Sequence, residues 1–292
     1  MAKELHTVLI EPIAHKIRPE QLVCIVPDKE LNYLPFAALI SKQTSHFLIE
    51  DYSFMLSPSA TAFVLLSELA KAKKGGREKF LGLGNPTIHR SESSSFAELA
   101  EAVKEVEAIA GYYSQAKILT NQQATEASFR NLATTADVIH IAAHSVVDMR
   151  SPLLSKLLLA PSLMNAKSNE SDDGTLFAYE LFQIRMPRAR LVLLSACETG
   201  IGRLYRGEGV LNLARPFLTQ GIPVVIASLW KVDSEQSKQL MVSFHQHRTQ
   251  ENKSVVQALR SAQLEILRRN GASSPKSFSW ASFQIIGGSS AY

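Results

Sequence analysis

An α/β fold built on a mostly parallel sheet, with helices on both faces, follows from three features of the sequence. Short apolar, β-branched runs alternate with longer amphipathic stretches, the pattern of strand–helix–strand units. Three of the runs, 137–143, 191–196 and 223–230, are continuously apolar rather than alternating, as strands covered on both faces must be. The chain has 292 residues, 46% hydrophobic and 20% charged, enough apolar material for one large or two small domains with a real core.

In chain order, LVCIV at 22–26 and FLIEDYSFM at 47–55 read as strands, and 60–73 reads as an amphipathic helix. KFLGL at 79–83 is a strand, 96–113 a helix, KIL at 117–119 a strand and 125–132 a helix. The run at 137–143 comes next, then 191–196, a helix over 210–219, the run at 223–230, helices over 234–247 and 254–269, and a last strand at 283–286. The basic stretch 71–79 (KAKKGGREK), with Gly75 and Gly76, marks a boundary between an N-terminal α/β portion, 1–76, and a main unit, 77–292. Residues 89–95 read as a polar loop. Residues 165–174 (NAKSNESDDG) have the composition of an exposed loop that could cover a cleft or be cut.

Lys and Arg number 31 against 27 Asp and Glu, a net charge of 31 − 27 = +4. Spread over this length it is a weak field and calls for neither nucleic acid nor an anionic membrane as direct partner. Two cysteines, Cys24 and Cys197, cannot build a disulfide framework, so a reducing compartment is expected. No N-terminal apolar core is visible, and the longest apolar runs fall far short of the roughly 20 residues of a spanning helix. A cytoplasmic protein is the expectation.

The chemistry concentrates at two strand ends. LVLLSACETG, 191–200, runs from a buried strand into Cys197 and a glycine-containing turn. Catalytic groups in an open parallel sheet lie just beyond the carboxyl ends of its strands, so Cys197 stands where a nucleophile would, the alternative being a small buried hydrophobe. An unperturbed thiol, pKa near 8.5, is mostly protonated at neutral pH and needs a base. ADVIHIAAHS, 136–145, supplies His144 at a second strand end, 197 − 144 = 53 residues before Cys197, close to the roughly 50 between the caspase His and Cys. His140 and His144 have the spacing of a zinc helix, but Ile141 stands where a metalloprotease needs Glu. His140 therefore reads as a hydrogen-bonded core residue, and no metal site is expected.

Gly200, Gly202, Gly207 and Gly209 follow a strand in the manner of a dinucleotide-binding turn, yet the spacing is two residues too long. No nucleotide or other cofactor is expected. PVVIASLWKVD, 223–233, reads as a neighbouring strand. The backbone of Ser228, Leu229, Trp230 and Lys231 could pair with an extended peptide, Trp230 could wall a pocket, and Asp233 could charge it. The plainer account makes Trp230 core and Asp233 the cap of the next helix. Cys24 reads as core packing.

HIAAHS, SPLLSKLLLAP, RLVLLSACETGIGRLYRGEGVLNLARPFL and GIPVVIASLWKVDSE resemble the CHAT family of caspase-like cysteine peptidases, a family similar to separase. IVPDKELNYLPFAAL, the SPSAT at 57–61, the GNP at 84–86 and FSWASFQIIG extend the resemblance over nearly the whole chain. It implies a caspase-like fold and a Cys–His dyad: Cys197 as nucleophile, His144 as base, and backbone N–H groups of Cys197 and Ser145 as oxyanion hole. It further implies a substrate cleft along 228–230 and Asp233 in the pocket for the residue before the scissile bond. A protein or peptide is then the substrate, with a regulatory partner or sensor module controlling a cytoplasmic effector. One departure stands out, since the family most often has Gly where Ser145 stands. The competing reading is a catalytically silent CHAT-like scaffold that uses the same cleft for binding.

Overall fold

The computed structural model describes residues 1–19, 21–73, 76–88, 96–162, 173–195, 203–205, 209–211, 213–270 and 275–289. Cys197, Gly200, Gly202, Gly207, the 89–95 loop and most of 165–174 lie outside the described residues.

The chain opens with helices α1 (Ala2–Leu9) and α2 (Glu11–Ala14), then β1 (Leu22–Ile25), α3 (Leu48–Asp51), β2 (Ser53–Leu56) and α4 (Ala60–Ala72). There follow β3 (Lys79–Gly84), α5 (Ala100–Ala110), β4 (Gln115–Thr120), α6 (Glu126–Ala133) and β5 (Val138–Ala142). A small antiparallel sheet comes next, β6 (His144–Val146), β7 (Lys156–Leu158) and β8 (Thr175–Phe177), with α7 (Ala178–Leu181) behind it. The last third holds β9 (Leu191–Leu194), the hairpin β10 (Arg203–Tyr205) and β11 (Gly209–Leu211), and α8 (Arg215–Thr219). β12 (Val224–Ser228), α9 (Ser234–Gln250), α10 (Val255–Asn270) and β13 (Phe283–Gly287) complete it.

Eight strands form the main sheet in the order β1-β2-β13-β12-β9-β5-β3-β4. The five from β12 to β4 run parallel; β13 pairs antiparallel with β12, and β2 and β1 follow the direction of β13. This is the expected α/β architecture, mostly parallel with helices on both faces.

The central strands are apolar throughout because each face meets its own core. In β9, Val192 and Leu194 pack with Phe129, Leu157 and Phe217 on one side, while Leu191 and Leu193 pack with Met241, Phe244 and Leu259 on the other. Each such fully buried side chain contributes about 1.5–3 kcal/mol of transfer free energy. Helix α5 sits directly on β3, where a Cβ at Gly84 would stand 2.7 Å from the Ala102 carbonyl oxygen. Only glycine permits that approach.

Two elements differ from the sequence expectation. Residues 47–55 are not one strand: Glu50 Oε2 accepts the Phe47 N–H at 2.8 Å and closes a short helix before β2 begins. Residues 210–219 are not one helix, since 209–211 belong to a hairpin and the helix begins only at Arg215, with Pro216 in its first turn, where a missing N–H costs nothing.

Candidate active site

Ile141 pairs with Leu194, and Leu194 with Ala227, so β5, β9 and β12 end side by side. His144 lies three residues past Ile141, and Cys197 three past Leu194 (144 − 141 = 197 − 194). The described chain on the second path stops at Ser195.

His144 opens β6, half-buried, with its Nε2 2.7 Å from the carbonyl oxygen of Ala97. A carbonyl can only accept, so Nε2 carries the hydrogen and, in the neutral ring, Nδ1 holds the lone pair. The Phe96 ring rests against the imidazole, centroid to centroid 4.8 Å. Burial and then the positive charge of Lys231 push the imidazole pKa below its ordinary value, against the raising effect of the Ala97 carbonyl.

Asn85 explains how this carbonyl is placed. Its backbone is left-handed, φ 47°, a conformation Asn tolerates better than most residues. Its N–H donates to the Ala142 carbonyl at 3.0 Å, two residues before His144. Its Oδ1 accepts the Leu99 N–H at 2.9 Å, two residues after Ala97, and its Nδ2 donates to Asn121 Oδ1 at 3.2 Å. One residue thus ties both segments that meet at His144, through its backbone to one and its side chain to the other. The GNP at 84–86 was the sequence signal for it; the Ala97 carbonyl had none.

Ser145 lies in β6 opposite Leu157 and is absent from the positive-φ residues. Its backbone accommodates a Cβ, so a serine in place of glycine introduces no strain.

Between α5 and α9, at the ends of the three strands, is a small cavity of about 40 Å³, lined in part by Ala143, Ser195, Ser228 and Glu105. Ser228 and Leu229 are buried, and the Leu229 N–H already donates to the Ser282 carbonyl at 2.8 Å. Of the stretch 228–231, the backbone beyond Leu229 is therefore the part open to a peptide. Trp230 is partly buried against the core. Asp233 is exposed and caps α9, its Oδ1 accepting from the Glu235 and Gln236 N–H groups at 3.1 and 3.3 Å. Cys24 is half-buried on β1 in an apolar groove beside α1 and α2, and burial pushes its thiol up.

His140 is fully buried in a chain of polar groups beneath the cavity. Its Nε2 is 2.6 Å from Glu105 Oε1 and its Nδ1 3.3 Å from His245 Nε2. His245 Nδ1 meets the Tyr113 hydroxyl at 2.8 Å, and Arg248 donates to that hydroxyl at 3.2 Å and also pairs with Glu78. Among the described residues no group of three His, Cys, Asp or Glu is arranged to hold a metal ion, and no helix is long and apolar enough to cross a membrane.

With this geometry, the chain can be set beside known proteins. It is 23% identical over 312 residues to tetratricopeptide repeat protein 28 of Homo sapiens, covering 92% of this chain and 12% of that protein. The Mus musculus protein of the same name is 24% identical, again over 92% and 12%, so the chain spans only a small part of the curated relatives it matches. Among solved structures, the complex of RgpB pro- and mature domains from Porphyromonas gingivalis superposes with a TM-score of 0.61 at 8% identity, over 99% of this chain and 68% of that one. The Saccharomyces cerevisiae separase–securin complex gives 0.58 at 13% identity, over 91% and 15%, and the cysteine proteinase gingipain R gives 0.55 at 8%, over 82% and 54%. These likenesses establish the fold, that of caspase-like cysteine proteases. The CHAT domain family model matches residues 1–288, and the chain belongs to that family.

Proposed function

We propose that this chain is a cysteine endopeptidase, with Cys197 as nucleophile and His144 as its base. The observation that carries the reading is the hydrogen bond from His144 Nε2 to the Ala97 carbonyl, which leaves Nδ1 as the basic nitrogen beside the strand that leads to Cys197.

Nδ1 takes the thiol proton of Cys197, and the thiolate attacks the peptide carbonyl carbon. The oxyanion is met by backbone N–H groups of Cys197 and Ser145. As the C–N bond breaks, the imidazolium returns its proton to the leaving amine, and a thioester remains. Water, deprotonated by the same imidazole, then releases the acid and restores the thiol. A lowered His144 pKa keeps the ring neutral and able to accept the proton near pH 7. Ser228 and Trp230 border the peptide's path in this reading. The natural substrate is a protein, and control by a partner or sensor module in the cytoplasm is part of the proposal.

The test is a peptide-library digest with labelling of new N-termini, wild type against Cys197→Ala. Cleavage by wild type alone supports the reading, and full turnover by the variant sinks it. If neither protein cuts and an electrophilic peptide probe leaves Cys197 unlabelled, the chain is a silent scaffold.

A further inference from the structure

β1 is the outer strand of the main sheet and pairs on one side only, with β2. The Ser57 N–H donates to the Ile25 carbonyl at 2.9 Å, so Val23 and Ile25 turn their N–H and C=O groups toward β2. Alternate residues of a strand turn these groups to opposite sides. Leu22, Cys24 and Val26 therefore turn theirs away from the sheet, and among the described residues these groups have no hydrogen-bond partner.

The strand is apolar, yet it is not buried as the central strands are. Leu22 and Val26 are 37% and 46% exposed, and Val23, Cys24 and Ile25 are half-buried. Exposed edges are commonly guarded by a charge, a bulge or a proline. Residues 22–26 contain neither charge nor proline, and Pro27 closes the run.

Beside this edge lies an apolar groove of about 220 Å³. Val23, Cys24, Ile25 and Val26 all line it, odd and even positions alike, so it follows the strand rather than one of its faces. α2 and the turn after it add Ile13 and Ile17 to the wall. A cavity of about 150 Å³ admits a benzene ring, so this one has room for a large apolar side chain. The two ends of the edge differ in charge. Lys16, Arg18 and Glu20, two bases against one acid, precede the strand, and Asp28, Lys29 and Glu30, two acids against one base, follow it.

We propose that the β1 edge and its groove dock an extended segment of a partner protein, apolar at alternate positions, acidic toward Leu22 and basic toward Val26. The segment adds a ninth strand: its backbone pairs with the outward groups of Cys24 and Val26, and one apolar side chain enters the groove. The end charges set its direction and select the partner. A helix or an acyl chain has no free backbone groups to offer the edge. A second copy would set the same surface against itself, groove facing groove, with nothing to fill either. β2 and β13 separate this edge from β12, so the site exists whether or not the thiol acts; only its regulatory use rests on the peptidase reading. Leu31 lines the groove, and its short 3-10 turn, Lys29–Tyr33, lies against β11 of the hairpin that follows Cys197.

The probe is a phage-displayed library of random linear peptides, panned on the Cys197→Ala protein so that no peptide is cut. Three further variants of that protein read the site. Cys24→Pro removes one outward N–H, which an edge strand tolerates. Cys24→Ala alters the same side chain and keeps the N–H, and Ile13→Glu puts a charge into the groove wall. Thermal melts establish that each is folded. The expected result is enriched peptides with alternate apolar residues and opposite charges at their ends. Their affinity should fall at least tenfold with Cys24→Pro and Ile13→Glu and hold with Cys24→Ala. The peptide supplies the same reading if Cys24→Pro does not fold. N-methyl groups on alternate nitrogens should abolish binding in one register and spare it in the other, because only every second N–H meets the edge. No enriched peptide, equal binding to Cys24→Pro and Cys24→Ala, or N-methylation without effect in both registers would each overturn the proposal. So would a wild-type dimer in sedimentation equilibrium that Cys24→Pro turns into a monomer, since the edge then belongs to a second copy. The library digest bears on the peptidase alone, so either reading can fail without the other.

Discussion

His144 Nε2 lies 2.7 Å from the Ala97 carbonyl oxygen, and the two residues belong to segments that Asn85 ties together from either side. The imidazole is thereby fixed through the backbone, and among the described residues no carboxylate bonds to it. A backbone carbonyl orients the ring without adding a full negative charge, and the ring's pKa falls through burial and Lys231.

Asn85→Ala loses two side-chain hydrogen bonds and places a Cβ-bearing residue less suited to φ 47°. The expected cost is about 2–4 kcal/mol of stability, with kcat falling on the order of 10²-fold as the Ala97 carbonyl shifts. Asn85→Gly is expected to recover part of the stability and little of the activity. Chemical denaturation and turnover of one fluorogenic peptide, measured on all three proteins, check the split.

The acid limb of kcat/KM is expected below the ordinary histidine value of 6.5, because the base must be neutral and its pKa is lowered. Lys231→Met removes the positive charge that, after burial, lowers it, so the limb should move toward higher pH by about a few tenths of a unit. A limb that stays put or moves down would exclude Lys231 from this role. The pH profile of the two proteins decides it.

His245 is fully buried, and its pKa is lowered well below 6.5 by burial first, then by His140 and Arg248. Below pH 6.5 the unfolded chain therefore binds a proton at this position that the folded chain does not. Stability falls as the pH drops below 6.5, by about 1.4 kcal/mol per pH unit from this group, until its folded pKa is reached. His245→Gln is expected to be less stable at pH 7.5 and to show a shallower fall toward pH 5. Urea melts at pH 5, 6, 7 and 8 supply the comparison.

Glu78 is held between Arg248 and Arg190. Burial draws its carboxyl up, but the two guanidinium groups more than offset this and leave it below its ordinary value. Arg248→Met strands the carboxylate against one partner and breaks the Tyr113 link. A loss of about 3–5 kcal/mol is expected, whereas removal of an exposed pair such as Lys71 and Glu68 should cost under about 1 kcal/mol. Denaturation midpoints of the two variants test the contrast.

The strands that could be read from sequence are those whose environment is simplest. Residues 138–142, 191–194 and 224–228 are buried on both faces, so their apolar runs have no interruption to misread. Residues 47–55 misled because Ile49 and Met55 are both buried while Glu50 turns the chain between them. The small sheet of β6, β7 and β8 went unseen because each strand has only three residues, too few for a period to show. His144 was legible from its place after a buried run. Glu105 was not, being one of several glutamates on an amphipathic helix, and only tertiary packing distinguishes it from exposed neighbours such as Glu107.

β13, residues 283–287, lies between β12 and β2, and through Ile286 and Leu56 it is the link by which β1 and β2 enter the sheet. During synthesis, the first two strands leave the ribosome long before the strand they pair against has been made. They must wait, with only each other and the neighbouring helices, until residues 283–287 have been made. The sheet is thus completed by a strand far along the sequence from those it joins. A chain cut before residue 283 would keep His144 and Cys197 but leave β1 and β2 without the strand that links them to the rest of the sheet.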